Sequence, residues 1–268
     1  MTSLGDGRAR PYLGAPVRTL LVPPQAQSRQ SPLDLAEVSG AIVASGLPLE
    51  VQRAPDSASF ERAVEHAEVA VAWSSPVLCA RVEPTGRALL TAVRQGNDSY
   101  RSALVARADA GLDAGQLQGR RVAWTTAHST AGHLLPAAFL KMMGFRELPH
   151  HFAGSYRAAI LDVLEGRADV AAVYTPRAEG HAVQLQLQTL VGAESAGLLV
   201  PLAFTEEIPG DALAFTAQVS PAEAQEWTER LLHLPAGHAL LRLLGAERLV
   251  RARDGAYRSL RSLLRAGL

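Results

Sequence analysis

One lysine, one cysteine and no surplus of either charge mark this 268-residue sequence, and each scarcity removes a class of chemistry. Positive charge is carried almost wholly by arginine. The single lysine, Lys141, lies in the apolar run Phe139-Leu140-Lys141-Met142-Met143, the setting of a helix lysine snorkelling past apolar neighbours. No Gly-Lys-Ser/Thr is present to form a phosphate-binding P-loop, and Lys141 alone is available for a Schiff base. Cys79 is the only cysteine, which excludes an intrachain disulfide and a cysteine-rich metal site. Lys plus Arg (26) balances Asp plus Glu (26), so no overall field gathers nucleic acid or an anionic membrane, and a small molecule is the expected partner. Ahead of the strand candidate Val17 to Val22 there is no apolar core of signal-peptide length, and no run is long enough to span a bilayer. With Met1 as the native start the protein is expected in the cytoplasm; with an export signal removed ahead of it, in the periplasm.

Apolar residues make up 48% and charged residues 19%, a balance able to bury a core, and the length favours two domains of roughly 100 to 150 residues. Short apolar runs alternate with helical patterns: "VRTLLV", "LDLAEVSGAIVASG", "LEVQRA", the helix "SFERAVEHA", the strand "EVAVAW" and the strand "RALLTAVR". A second series begins near residue 103 with "SALVARADAG" and "LQGRRVAWTT". It continues with a helix over 133–143 stopped by Gly144, the helix in "SYRAAILDVLEG" and the strand "DVAAVYT". A polar stretch, "PRAEGHAVQLQLQ", precedes a further strand pair around "GLLVPLAF" and "DALAFTAQV", and three helices run from Pro221 to the end. The pattern predicts an α/β molecule of two lobes, each a mainly parallel sheet flanked by helices. Lobe 1 is expected over residues 1–102 and 205–268, lobe 2 over 103–204, with a cleft between them where loops leave strands for helices.

The most polar of those loops is Thr126-Ala127-His128-Ser129-Thr130-Ala131-Gly132, after the strand Val122 to Thr125. Proline is tolerated in the first turn of a helix, so Pro136 puts the helix start near Gly132 or His133 and leaves the hydroxyls just ahead of it. Free N–H groups and hydroxyls at a positive helix end form an anion site. A second such turn, Gly154-Ser155-Tyr156, has Ser155 as N-cap, and two helix starts facing one cleft would share a ligand. The same residues read equally as ordinary helix caps bound to water. His128 is either a donor beside the loop or a plain surface histidine.

Other clusters carry less chemistry. His150-His151 and the pair His128/His133 lack metal-ligand spacing, and no metal or cofactor is expected. "GAESAG" at 192–197 lacks the spacing of a nucleophile elbow and reads as a loop. Glu206-Glu207 reads as an exposed acidic turn, with orientation of a ligand amine as the other option. Arg157 beside Ser155 is either solvated or an anion partner. The last helix sets Tyr257, Leu260, Leu263 and Leu264 against Arg258, Arg261 and Arg265; it is expected to pack on its own domain, although a basic amphipathic helix can also lie on a membrane.

The stretch "YRSALVARADAGLDAGQLQGRRVAWTTAHSTAGHLLPAAFLKMMGF" with "SYRAAILDVLEGRADVAAVY" resembles the phosphate/phosphonate-type substrate-binding proteins of ABC transporters, which have the type 2 periplasmic-binding fold. The resemblance extends from about Val17 through the closing "LLGAERLVRARDGAYRSLRSLL". Its most specific piece, "HSTAGHLLP", is similar to the family's Ser-Thr-Ser-Gly phosphonate loop. That match implies that Ser129, Thr130 and Ala131 contact the anion, with Ala131 standing where the family has a hydroxyl. It also implies that Tyr100 and, in "VAWSSP", Trp73 line the cleft; Ser74 beside Trp73, and Thr126 and His128 ahead of Ser129, are further candidate ligand contacts, and the lobes are expected to close on the ligand by hinge motion. Ser155-Tyr156 stands where the family often has Ser-His, and Tyr174 where an acidic residue is common. The implied function is capture of an anionic or polar small molecule, with a membrane permease or a regulatory protein as partner. Two alternatives on the same fold are a cytoplasmic enzyme, chorismate dehydratase-like or pyrimidine-precursor synthase-like, and a ligand-sensing subunit. No paired carboxylates or activated nucleophile support the enzyme.

Overall fold

A computed structural model describes residues 16–24 and 34–265; the N-terminal stretch read for an export signal lies outside them up to residue 15. The chain divides into two compact units, one running to Asp98 and resuming over Gly210–Arg258, the other comprising Ser99–Pro209 and the chain from Ser259. These boundaries fall a few residues from 102/103 and 204/205, because strand pairing begins at Ser99 and ends at Pro209. They also assign the final helix to the second unit.

In the first unit the apolar runs become β1 (Arg18–Val22), α1 (Leu35–Ala44), β2 (Leu49–Arg53), α2 (Ser57–Glu65), β3 (Val71–Ser74), α3 (Pro76–Val82) and β4 (Ala88–Val93). Helix starts follow the local chemistry. The Asp56 carboxylate accepts from the Ser59 amide at 2.7 Å, which holds its pKa down, and Ser75 caps α3 ahead of Pro76.

The second unit supplies β5 (Ser99–Arg107), β6 (Val122–Trp124), α4 (Leu135–Met142), β7 (His150–Phe152), α5 (Tyr156–Leu164) and β8 (Val170–Thr175). It continues with α6 (Gly180–Val191), α7 (Ala193–Ala196), β9 (Leu199–Phe204) and β10 (Ile208–Pro209). The polar stretch after β8 is therefore largely helical, with Val183 and Leu187 four residues apart and buried. The chain then adds β11 (Ala212–Phe215), α8 (Pro221–Leu232), α9 (Ala239–Leu244), β12 (Arg248–Arg251) and α10 (Arg258–Arg265). The three closing helices are present, but a strand interrupts them. α8 opens with a capping box in which Ser220 and Glu223 satisfy each other's amides at 2.9 and 3.3 Å.

Sheet one has the order β12-β4-β11-β3-β1-β2, and sheet two β10-β5-β8-β6-β7 with β9 also on β5. Parallel pairing holds where strands alternate with helices, β2-β1-β3 and β7-β6-β8; the other pairings are antiparallel, so both sheets are mixed. β9 and β11 belong to different sheets: β11 lies between β3 and β4, and β9 lies on β5. Core packing explains the separation, since Leu213 and Phe215 of β11 join Leu20, Val71 and Trp227, whereas Leu199 of β9 joins Ala103, Ile160 and Leu187.

Within the first unit, the segments next to the unit boundary are tied to one another. The Gly210 amide donates to the Asp98 carbonyl at 2.9 Å, and the buried Tyr257 hydroxyl donates to the Gly210 carbonyl at 2.7 Å. A Cβ at Gly210 would lie 2.9 Å from the Asp98 carbonyl oxygen, so glycine is required for this approach. Burial pushes the Tyr257 phenol and the Cys79 thiol up, and both stay protonated. Tyr257→Phe leaves a buried carbonyl without its donor and is expected to lower stability by about 1–3 kcal/mol, read as a lower urea midpoint.

Candidate functional site

Strand β6 lies between β7 and β8, parallel to both, and its carboxyl end carries the polar turn. The pairing of β6 with β7 continues past both strands: the Ala153 amide donates to the Trp124 carbonyl at 2.8 Å and the Gly154 amide to the Thr125 carbonyl at 2.7 Å. Gly154 takes a φ of +87°, a conformation for which glycine is suited, and Ser155 then starts α5. The two helix starts singled out in the sequence are thus neighbours within one unit, on adjacent parallel strands.

The first helix does not start at Gly132 or His133. Thr130–Leu134 form a single π turn that runs into α4. The Leu134 amide reaches the Ser129 carbonyl at 2.9 Å, and the Leu135 amide goes to the Thr130 carbonyl. Ser129 is the N-cap, its Oγ accepting from the Gly132 amide at 3.0 Å; Ser155 does the same for Ala158 at 3.1 Å. The amides of Thr130 and Ala131 precede any intrahelical acceptor. Thr126, Ala127 and His128 are exposed, Ser129 is half-buried, and Thr130, Ala131 and Gly132 are buried.

Beneath the turn, the Thr125 amide donates to the Gly132 carbonyl at 3.1 Å, and the Thr125 Oγ1, in a residue 3% exposed, has no hydrogen-bond partner among the described residues. A Cβ at position 132 would collide with this side chain, 2.6 Å from Thr125 Cγ2 and 2.7 Å from Ser129 Oγ. His133 clamps the other side, its Nδ1 2.9 Å from the Ala127 carbonyl and its ring 5.5 Å from Trp124 and 5.0 Å from Phe152. Burial holds its pKa below the usual imidazole value, outweighing the bond to Ala127.

Tyr100 and Tyr174 come from paired strands. Ser102 stands opposite Tyr174 in the β5–β8 ladder, so Tyr100 is its diagonal neighbour on the same face, and the rings approach to 5.1 Å. Ser102 belongs to that face and donates to the Ala131 carbonyl at 2.7 Å, so the tyrosine pair and the π turn share one side of the sheet. Tyr156, first in α5, is half-buried against the second unit's core. Trp73 and Ser74 lie in the first unit. Trp73 packs on its core with the Arg94 guanidinium 5.4 Å above the ring, and Ser74 is buried, its Oγ 3.5 Å from the Ala72 carbonyl.

The remaining candidates have structural partners. His151 Nε2 lies 2.6 Å from Asp162, which Arg167 also holds at 2.6 Å. Burial would raise the Asp162 pKa, but the bonds from His151 and Arg167 bring it below the ordinary carboxylate value. Glu207 accepts from Ser99 and faces Arg101, and Arg157 reaches the Leu190 carbonyl at 3.4 Å. Among the described residues no group of three or more His, Cys, Asp or Glu could hold a metal ion, and no helix is long and apolar enough to cross a membrane. Neither Ser102 nor the packing of Thr125 against Gly132 is evident from the sequence; the available signal was a polar residue within one apolar strand and another at the end of a second.

A family model described as the ABC transporter, phosphonate, periplasmic substrate-binding protein matches residues 35–257. Among solved structures, the chain is similar to XAC2383 from Xanthomonas citri bound to chloride ion, with TM-score 0.74, 19% identity, and coverage of 92% of this chain and 98% of that one. It is also similar to PhnD1 from Prochlorococcus marinus in complex with methylphosphonate (TM-score 0.67, 17% identity, 93% and 98% covered). A third is a binding protein component of an ABC phosphonate transporter from Pseudomonas aeruginosa (TM-score 0.62, 19% identity, 93% and 85% covered). At these identities the structures establish the type 2 periplasmic-binding fold.

Two outcomes follow from the packing of the turn. Gly132→Ala overpacks it and is expected to cost about 1–3 kcal/mol in denaturant unfolding, partly restored by adding Thr125→Ala, which removes the Thr125 atoms and leaves the contact with Ser129 Oγ. His133, with its folded pKa depressed, leaves the unfolded chain holding the extra proton. Its stabilisation is complete above about pH 6.5 and declines as pH falls through the window below. Urea midpoints measured across that range should fall with acid more steeply in the natural protein than in His133→Phe.

Proposed function

Because the chain belongs to the ABC-transporter family of periplasmic phosphonate substrate-binding proteins, we propose that its second unit grips the oxyanion of a small organic ligand at the paired starts of the π turn and α5. The observation that carries this reading is the 2.7 Å bond between Gly154 and Thr125, which sets two serine-capped helix starts side by side. Helix ends contribute about 0.3–1 kcal/mol each when exposed, while micromolar binding requires about 8 kcal/mol. Hydrogen bonds to a charged acceptor contribute about 1.5–3 kcal/mol each, so roughly four to six of them close the gap when association costs are small. A serine hydroxyl that accepts a cap bond keeps its own O–H for a ligand. Ser129, Thr130 and Ser155 with the amides of Thr130 and Ala131 make up such a donor set, and the Thr126 hydroxyl and His128 extend it. Tyr100, Tyr174 and Tyr156 supply aromatic surface for the organic portion; Trp73 and Ser74 enter this reading through the family resemblance alone.

The family match favours binding over an enzyme or a sensor on the same fold. Delivery to a membrane permease and a periplasmic location belong to the same proposal, supported by the family's description. Titration calorimetry with methylphosphonate, phosphate and sulfate tests the site. Ser129→Ala and Ser155→Ala are each expected to weaken the best of these ligands by about 10- to 100-fold, the equivalent of one charge-assisted bond. Stabilisation by a neutral heterocycle, with no response to any oxyanion, would falsify the anion reading and leave the fold untouched.

A further inference from the structure

We infer that Ser102 is a positioning residue for the anion turn, clamping it through the carbonyl of Ala131; the inference rests on the binding reading above. The turn's register creates the need for this clamp. In a π turn each carbonyl accepts from the amide five residues on. Ser129 accepts from Leu134 in this way, and Thr130 accepts from Leu135. The next partner in the series, for the carbonyl of Ala131, is position 136, and Pro136 has no N–H to give. Leu135, the donor in α-helical register, is already engaged by Thr130. The Ala131 carbonyl is thus orphaned in a buried place, where an unpaired acceptor is costly.

Ser102 fills the gap from outside the helix. Its residue is 0% exposed, and its Oγ–H donates to the Ala131 oxygen at 2.7 Å. Its own backbone is pinned on the other side, the amide donating to Thr205 Oγ1 at 3.0 Å and the carbonyl accepting from the Thr205 amide at 2.9 Å. The clamp therefore hangs on a rigid point of the ladder, one residue from Arg101 and opposite Tyr174. The Ala131 carbonyl shares its peptide unit with the Gly132 amide, which donates to Ser129 Oγ at 3.0 Å, so the bond from Ser102 fixes the unit that positions the cap hydroxyl and, through the Ala131 Cα, steadies the adjoining unit that offers the Ala131 amide. A serine that never touches the ligand thereby sets the aim of the groups that do.

The test compares the natural protein, Ser102→Ala, Pro136→Ala and the double variant by two readouts. The first is amide hydrogen exchange over residues 130–135 without ligand; the second is methylphosphonate affinity by calorimetry. Ser102→Ala is expected to speed exchange in that segment while amides of β1 and β8 stay protected, and to weaken methylphosphonate by about tenfold. In the Pro136→Ala background, which returns an N–H to position 136, removing Ser102 should have little further effect on exchange. Unchanged exchange and unchanged affinity in Ser102→Ala overturn the clamp. Loosened exchange with unchanged affinity overturns its role in binding. A natural protein that binds neither methylphosphonate nor phosphate, with the clamp seen in exchange, overturns the binding reading and this inference with it, while leaving the hydrogen bond itself established.

Discussion

The hydrogen bond from the Gly154 amide to the Thr125 carbonyl carries parallel pairing one step beyond the ends of β6 and β7, and the rest of the candidate site depends on it. Parallel neighbours send their following helices off the same edge of a sheet, so their first turns begin close together only if the strands end in step. Gly154, free to adopt a positive φ, permits that last rung and releases the chain at Ser155. From this one constraint come two capped helix starts side by side and a shared direction for their partial charges.

Charge is conspicuously neutral at the turn itself. Its donors are hydroxyls and backbone amides, and within the same unit Asp162 pairs with Arg167 and Arg101 faces Glu207. A site of this kind relies on direction rather than on field strength, which is why rigidity of the backbone matters more to it than to one built on a flexible arginine. Several contacts supply that rigidity: Ser102 on Ala131, His133 on Ala127, Thr125 on Gly132 and Ser129 on Gly132.

Much of the architecture was legible in the residues because it is local. Apolar runs such as "VRTLLV" and "DVAAVYT" announce buried strands, and Ser155 announces a helix start by its own side-chain chemistry. What depended on distant partners was hidden. β12 reads as part of a helical tail until β4 is present to pair with it, and nothing local says that β11 inserts between β3 and β4. The π turn was hidden for a similar reason. Pro136 allows a helix to begin at Gly132, but the turn that starts earlier, at Thr130, is bonded at Ala131 by Ser102, 29 residues upstream of Ala131, whose polarity inside an apolar strand has no meaning until its acceptor is known.

The position of β11 between β3 and β4 has a consequence for how the protein is made. A ribosome releases β1 through β4 long before β11, so the nascent first unit holds two strands whose intended neighbour has not yet been translated. The intervening segment from Ser99 to Pro209 has all the strands of its own sheet once it has emerged. It can collapse early, while the unit that was synthesised first waits with open, apolar strand edges that invite misassociation. Exposure to misassociation during biosynthesis therefore centres on β3 and β4, although in the finished molecule Val71, Ala72 and Leu90 are fully buried.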